Sequence, residues 1–254
     1  ELLNLKRKGQ NQEHAELLDQ YQYDGLDTCA VDGLCATACP VDINTGDLVK
    51  RLRRESHNDF ANNLALLVAK NFRPVAATVK FGLKAGAGMN KLFGANTMSK
   101  LTKSAKGIIP EFPLWTDQLA PAPDLGAAMT KANIPVDEAE VVYFPTCISR
   151  IMGSPEGSKK SIIETFISVS EKVGIKFTIP KDMQSSCCGQ IYSSKGYSKA
   201  FAYTANETIS KVWEWTDRGR LPLILDITSC TYTLQNCRPV LTPENRQKFD
   251  VLKI

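Results

Sequence analysis

Three cysteines, Cys29, Cys35 and Cys39, fall within eleven residues, and Pro40 follows the last. Read back from Pro40, the positions Cys39, Cys35, Asp32 and Cys29 fit the run C-x2-C-x2-C-x3-C-P, with Asp in the second place. That run wraps a cubane iron–sulfur cluster, because its unequal steps turn successive thiolates toward one centre. Gly33 allows the close backbone approach such a wrap needs. Pro40 fixes the exit and brings no amide donor. Asp32 would be a carboxylate ligand, harder and more exchangeable than a thiolate. A zinc site or a disulfide competes with this reading, but zinc sites favour two separated Cys pairs. Where two such runs occur in one protein, the fourth Cys of each ligates the other cluster. Cys39 would then serve a cluster whose remaining ligands lie in a second run, and residues 1–254 hold none. The chain starts at Glu1 and ends in the alternating stretch Phe249–Ile254. A piece of a longer protein is the expectation.

A second constellation lies further on. Cys187, Cys188 and Gly189 form a triplet, with Cys147 forty residues before Cys187 and Cys230 about as far after. Vicinal thiols point different ways, so both bind metal only if the centre is larger than one atom or the turn is special, and Gly189 permits such a turn. A helix starting at Gly189 would lower thiol pKa at its amino end. The competing readings are a vicinal disulfide or four buried structural thiols. Cys237 lacks an obvious partner and reads as a buried thiol.

The elements that must position these residues can be read from periodicity. Residues 1–27 read as a helix with Leu17, Leu18 and Tyr21 on one stripe. After Pro40 a second helix starts, with Thr45 as its cap, Asp47 at its positive end and a Lys/Arg run at its negative end. Residues 60–110 contain eight Lys or Arg and no Asp or Glu. Phe60, Leu64, Leu67 and Val68 keep the helical period, Pro74 restarts it, and Val75, Val79 and Leu83 continue it. Gly82, Gly86, Gly88 and Gly94 weaken that second helix. Such a basic amphipathic stretch suits an anionic membrane surface, an acidic partner or a solvated face, and charge alone does not choose. Residues 107–138 carry five of the thirteen prolines and read as an irregular linker.

From Glu140 the pattern becomes strand, helix, strand, helix, strand. The strands are Val141–Phe144, Ile175–Ile179 and Leu221–Asp226. The helices are 157–173, with Ile162, Ile163, Phe166 and Ile167 inward, and about 198–217. This order implies right-handed crossovers and a parallel sheet. Cys147, Cys187, Cys188 and Cys230 all follow strand ends, the edge at which such sheets bind ligands. Four thiols there read as a metal site.

The bounds are consistent with this. A length of 254 residues allows one or two domains. Eight cysteines at this length do not make a secreted disulfide scaffold. No stretch approaches the ~18–20 apolar residues of a membrane span, and no signal peptide is visible. A net charge of +4 gives no sign of nucleic-acid binding. The expected class is α/β. A helical iron–sulfur segment (1–58) precedes a basic helical hairpin with a Pro-rich linker (59–137) and an α/β parallel-sheet domain (138–254).

The residues Asp27–Gly46 resemble the second iron–sulfur run of bacterial FAD-linked D-lactate dehydrogenases. The segments Tyr143–Gly153 and Ser186–Gly196 are similar to the first cysteine-rich (CCG) domain of that family. Glycolate oxidase iron–sulfur subunits and heterodisulfide reductase subunits share that domain. The resemblance implies a ferredoxin-like helical segment followed by a Rossmann-like CCG domain. It implies 4Fe-4S clusters with Cys29, Asp32, Cys35 and Cys39 at one site and Cys147, Cys187, Cys188 and Cys230 at another. It implies FAD in an upstream dehydrogenase domain that takes a hydride from a 2-hydroxy acid, with this region passing electrons to a quinone, a cytochrome or an electron-transfer flavoprotein. A cytoplasmic place is the expectation, with peripheral contact on the inner membrane face through the basic stretch. The family pattern often ends in C-x-x-C, whereas Thr233 stands three residues after Cys230 here. A heterodisulfide-reductase-like thiol–disulfide redox subunit, a glycolate oxidase iron–sulfur subunit and a zinc-stabilised interaction module are the alternatives.

Overall fold

The amino-terminal helix expected over 1–27 breaks at Gly9, whose φ of 71° is left-handed and costs glycine little. It divides into α1 (Leu2–Lys8), α2 (Asn11–Tyr21) and a π-helical turn, Gln22–Asp27. The computed structural model describes the chain except residues 32, 110, 111, 125, 127, 128, 131, 132 and 154–159. Asp32, a candidate ligand, is therefore outside the described residues. Contacts group the chain into two units. A helical unit comprises Glu1–Leu67 and Gly189–Phe201, and a sheet unit comprises Val68–Cys188 and Ala202–Ile254.

In the helical unit, α3 (Leu34–Ala38) starts from Gly33 at φ 77°, and α4 spans Thr45–Ser56. The cap of α4 is Asn44, whose side chain accepts from the Gly46 amide at 3.0 Å. Thr45, the cap expected from the sequence, is the first helical residue instead. Asn is as good a cap as Thr, so the start shifts by one position at no cost. Val49 and Leu52 of α4 bury against Leu26 and Val31 in a small core. Helix α5 (Asp59–Lys70) runs across the boundary between the units.

The sheet unit begins with α6 (Phe72–Phe93) and α7 (Thr97–Ile108). Pro74 sits in the first turn of α6, where its missing amide would have had no helical partner. Three strands, β1 (Val141–Phe144), β2 (Phe177–Thr178) and β3 (Leu223–Leu225), form a parallel sheet in the order β2-β1-β3. The β2 strand is shorter than the apolar run around it. Past Thr178, the Ile179 amide donates to the Asn133 side chain instead of to a strand. The helix Ile162–Val173 opens with a full capping box between Ser161 and Glu164. It buries Ile163 and Ile167, whereas Ile162 faces solvent, contrary to the inward face expected. Val142, Tyr143 and Phe144 lie in the core of this unit. The chain is mostly helical around this small sheet, a mixed α/β class. Among the described residues, no helix is long and apolar enough to cross a membrane.

Candidate metal centre

β1 is the middle strand, so the chain leaving it enters the sheet's carboxyl edge with neighbours on both sides. Thr146 caps the short helix Cys147–Ile151 there, and Cys147 is its first residue. Its Sγ lies 3.7 Å from the Sγ of Cys187. Two thiolates about 2.3 Å from one tetrahedral metal would lie about 3.8 Å apart. A thiol–thiol hydrogen bond has a similar length, and burial with that bond pushes the Cys147 thiol well up from its ordinary range. The nearby Arg150 charge opposes the rise.

Arg150 stands one turn along from Cys147 and is buried. Its Nε donates to the Pro145 carbonyl at 3.0 Å and the Thr146 carbonyl at 3.3 Å. Its Nη1 donates to the Met183 carbonyl at 2.8 Å, and its Nη2 to the Ser186 carbonyl at 2.6 Å. One guanidinium therefore joins the loop after β1 to the loop that delivers Cys187. Burial lowers its pKa, while Cys147, Cys187 and Asp226 favour its charge. Thr208 donates to the Cys187 carbonyl at 2.7 Å from the facing helix Ser198–Trp215. Just past β3, Asp226 accepts from the Thr146 amide and the Tyr143 hydroxyl, each at 3.0 Å.

Cys187, Cys188 and Cys230 are buried in one apolar core with Cys147 packed against it. Gly189 follows at φ 85°, the left-handed turn the triplet called for. Sequence reasoning named all four cysteines and missed Arg150, Thr208 and Asp226. The signals were Arg150 three residues after Cys147 and an acid ending a strand. No local pattern pointed to Thr208. Among the described residues, which include all eight cysteines, no disulfide forms. Among those residues, no three His, Cys, Asp or Glu side chains converge as a metal-holding group. The structure thus brings two of the four thiols to metal-sharing distance.

Cys29, Cys35 and Cys39 lie in the helical unit, and Cys237 is buried in the sheet unit. Cys35 is exposed, and Cys29 and Cys39 are half-buried. The Thr45 hydroxyl donates to Cys35 Sγ at 3.3 Å. That bond, aided by the Thr45 amide, holds the Cys35 thiol below its ordinary pKa. The Ile43 and Val41 amides lower Cys39 in the same way, and the charge of Cys35 works against them. A ligand sulfur must lose its proton to bind metal, so these donors suit one. Cys29 is held through its backbone. Buried Arg53 donates to the Leu26 carbonyl, to the Cys29 carbonyl at 3.0 Å and to the Ser194 carbonyl at 2.6 Å. Arg53→Ala leaves those carbonyls short of a donor in a buried place. The expected cost is about 2–4 kcal/mol, with faster amide hydrogen exchange over residues 24–31. Unchanged exchange there would show that the loop holds its shape without the clamp.

In three comparisons with known proteins, no family model, no curated protein and no solved structure matches this chain.

Proposed function

We propose that this chain is the electron-relay portion of a flavin-dependent D-2-hydroxy-acid dehydrogenase of the D-lactate type. The observation that carries the metal part of this reading is the 3.7 Å approach of Cys147 and Cys187 at the carboxyl edge of a parallel sheet. All-sulfur sets hold zinc or iron–sulfur clusters. The choice of iron, and of the flavin upstream, rests on the resemblance of residues 27–46, 143–153 and 186–196. In this reading the helical unit is ferredoxin-like and the sheet unit carries a Rossmann-like CCG domain.

When bound, an iron–sulfur cluster supplies one-electron uptake and release. Cys147, Cys187, Cys188 and Cys230 would hold one centre. Cys29, Cys35 and Cys39, with Asp32, would hold part of another. The chain's own groups do the rest. Arg150 keeps a fixed positive charge beside Cys147 and Cys187, which offsets thiolate charge in a dry place. The apolar core around the sulfurs excludes water, and both tune a potential. In the helical unit, Thr45 and the Val41 and Ile43 amides favour the thiolate form of Cys35 and Cys39. A flavin domain would supply electrons, and a quinone, a cytochrome or an electron-transfer flavoprotein would take them.

The 3.7 Å pair would also permit thiol–disulfide exchange. That chemistry needs an exposed thiol of lowered pKa. Cys187 is buried and the Cys147 thiol is pushed up, so the pair is a poor nucleophile toward an outside disulfide.

Anaerobic reconstitution with ferrous iron and sulfide tests the proposal. The chain should take up both, Cys187→Ser should lose most of that uptake, and Cys237→Ser should keep it. Residues 29–39 alone should not retain a stoichiometric cubane cluster. Zinc uptake at Cys147 and Cys187 with no retention of sulfide would replace the relay by a zinc-stabilised module.

A further inference from the structure

We propose that the α6–α7 hairpin of the sheet unit is a docking surface for an anionic lipid bilayer. The inner side of the hairpin is fully occupied. Leu83 is buried, and Gly86 lies so close to Trp115 that an added Cβ would sit 2.4 Å from the indole. Thr102 of α7 is buried and accepts from the Trp115 amide at 3.0 Å. Asn90 of α6 accepts from the Met98 amide at 2.8 Å, which ties the two helices across their turn. The sheet unit therefore uses one face of the pair and leaves the other.

The face left over is apolar. Phe81 is 73% exposed, Leu92 79%, Phe93 74% and Ile108 84%. Phe81 and Leu92 are eleven positions apart, about three helical turns, so they share one stripe of α6. Leu101 and Ile108 are seven apart and share a stripe of α7. Lys80, Lys84 and Lys91 run beside the first stripe, and Lys100, Lys103 and Lys106 are spread along α7. From Phe60 to Ile109 there is no carboxylate to neutralise them.

Charge complementarity asks for an anionic occupant. The exposed side chains decide which kind. A polar acidic protein surface would satisfy the lysines and leave Phe81, Leu92, Phe93 and Ile108 in water. A bilayer satisfies both, because apolar side chains enter the acyl boundary while lysines reach the headgroups. Apolar residues at the turn between the two helices (Leu92 and Phe93) are the first to reach such a boundary. No helix here spans a bilayer among the described residues, so the contact is with its surface.

Sedimentation of the 254-residue chain with lipid vesicles tests this. The chain should bind vesicles of phosphatidylcholine with phosphatidylglycerol at low salt, and ignore phosphatidylcholine alone. Rising salt should release it. Replacing the exposed Lys84, Lys91 and Lys103 by Gln should weaken binding roughly a hundredfold. Phe81→Ser with Leu92→Ser should weaken it about tenfold or more. All five positions are outside the hairpin's packed side, and an unchanged far-ultraviolet spectrum confirms folding. Failure to bind anionic vesicles at low salt overturns the proposal, as does binding indifferent to both variants. Binding to polyglutamate that needs the lysines but not Phe81 and Leu92, without vesicle binding, gives the surface to an acidic protein instead. The assay involves no metal and no electron transfer, so its outcome is independent of the relay reading.

Discussion

Arg150→Ala lowers the melting temperature of the sheet unit by roughly 10 °C. Four carbonyls, those of Pro145, Thr146, Met183 and Ser186, accept from this one side chain. The Thr146 and Met183 carbonyls also accept from the Arg150 and Ser186 backbone amides, so those of Pro145 and Ser186 depend on the guanidinium most. A buried acceptor left without a donor costs about 1–3 kcal/mol. Water entering the gap recovers part of that, so a net loss of about 3–5 kcal/mol is expected. Arg150→Lys should recover little, because a point charge with three donors cannot span both loops. Calorimetry of the metal-free chain decides. A shift under about 2 °C would mean that the two loops are held by other contacts, and that the guanidinium is only a charge. Removal of Arg150 also takes away the positive charge beside Cys147 and Cys187. Metal uptake in the variant should therefore fall even after correction for folded fraction.

The metal-free chain should lose about 5–6 kcal/mol of stability between pH 9 and pH 11. Cys237 is fully buried, and burial pushes its thiol up to about 12 from 9.0. Burial also pushes the Tyr143 phenol well above its ordinary value of 10.0, and the Asp226 carboxylate that accepts its hydrogen bond adds to the rise. Both groups bind their protons more tightly in the folded state. Their contribution is fully present below the unfolded values, and it is lost as pH rises from about 9 toward the folded values. The Cys147 thiol, held up by its bond to Cys187 and by burial, adds a loss of the same sign, so Cys237→Ala should flatten about 40% of the slope, Cys147→Ala a similar share and Tyr143→Phe most of the remainder. Urea midpoints measured across this range check the sign. A curve flat to pH 11 would show that these sites relax and admit water.

The parts of the fold legible in the sequence were those fixed by neighbours in the chain. The strand–helix–strand order came from apolar runs that packing then used. All four cysteines of the second constellation were named because strand ends and a Cys-Cys-Gly turn are local features. Other parts depended on distant residues. Arg150 reads as an ordinary surface arginine until the Met183 and Ser186 carbonyls, 33 and 36 residues on, are brought to it. Glycines that should weaken α6 do not break it, because Gly86 is where Trp115 packs. Propensity is local and that contact is not. Ile162 kept the period but fell on the wet side of the first turn. The thiol geometry was illegible for the same reason, since Cys147 meets Cys187 across 40 residues.

The helical unit is discontinuous, and this dictates an order of assembly during synthesis. Its last piece, Gly189–Phe201, is made after the whole intervening stretch of the sheet unit. Arg53 must wait 141 residues for the Ser194 carbonyl. His57 must wait 138 for the Lys195 carbonyl and 140 for the Tyr197 ring it stacks on. Closing loops of that length is entropically costly and slow, so these contacts come late. A nascent chain stalled before Gly189 should thus expose the end of α4 to trypsin at Arg53 and Arg54. Once Phe201 has cleared the ribosome, Gly196 closes against the Arg54 backbone, so tightly that an added Cβ would stand 2.6 Å from its amide nitrogen. Cleavage there should then stop. The loop that carries Cys29, Cys35 and Cys39, though translated before the sheet unit, would be sealed only after Cys188 has been made.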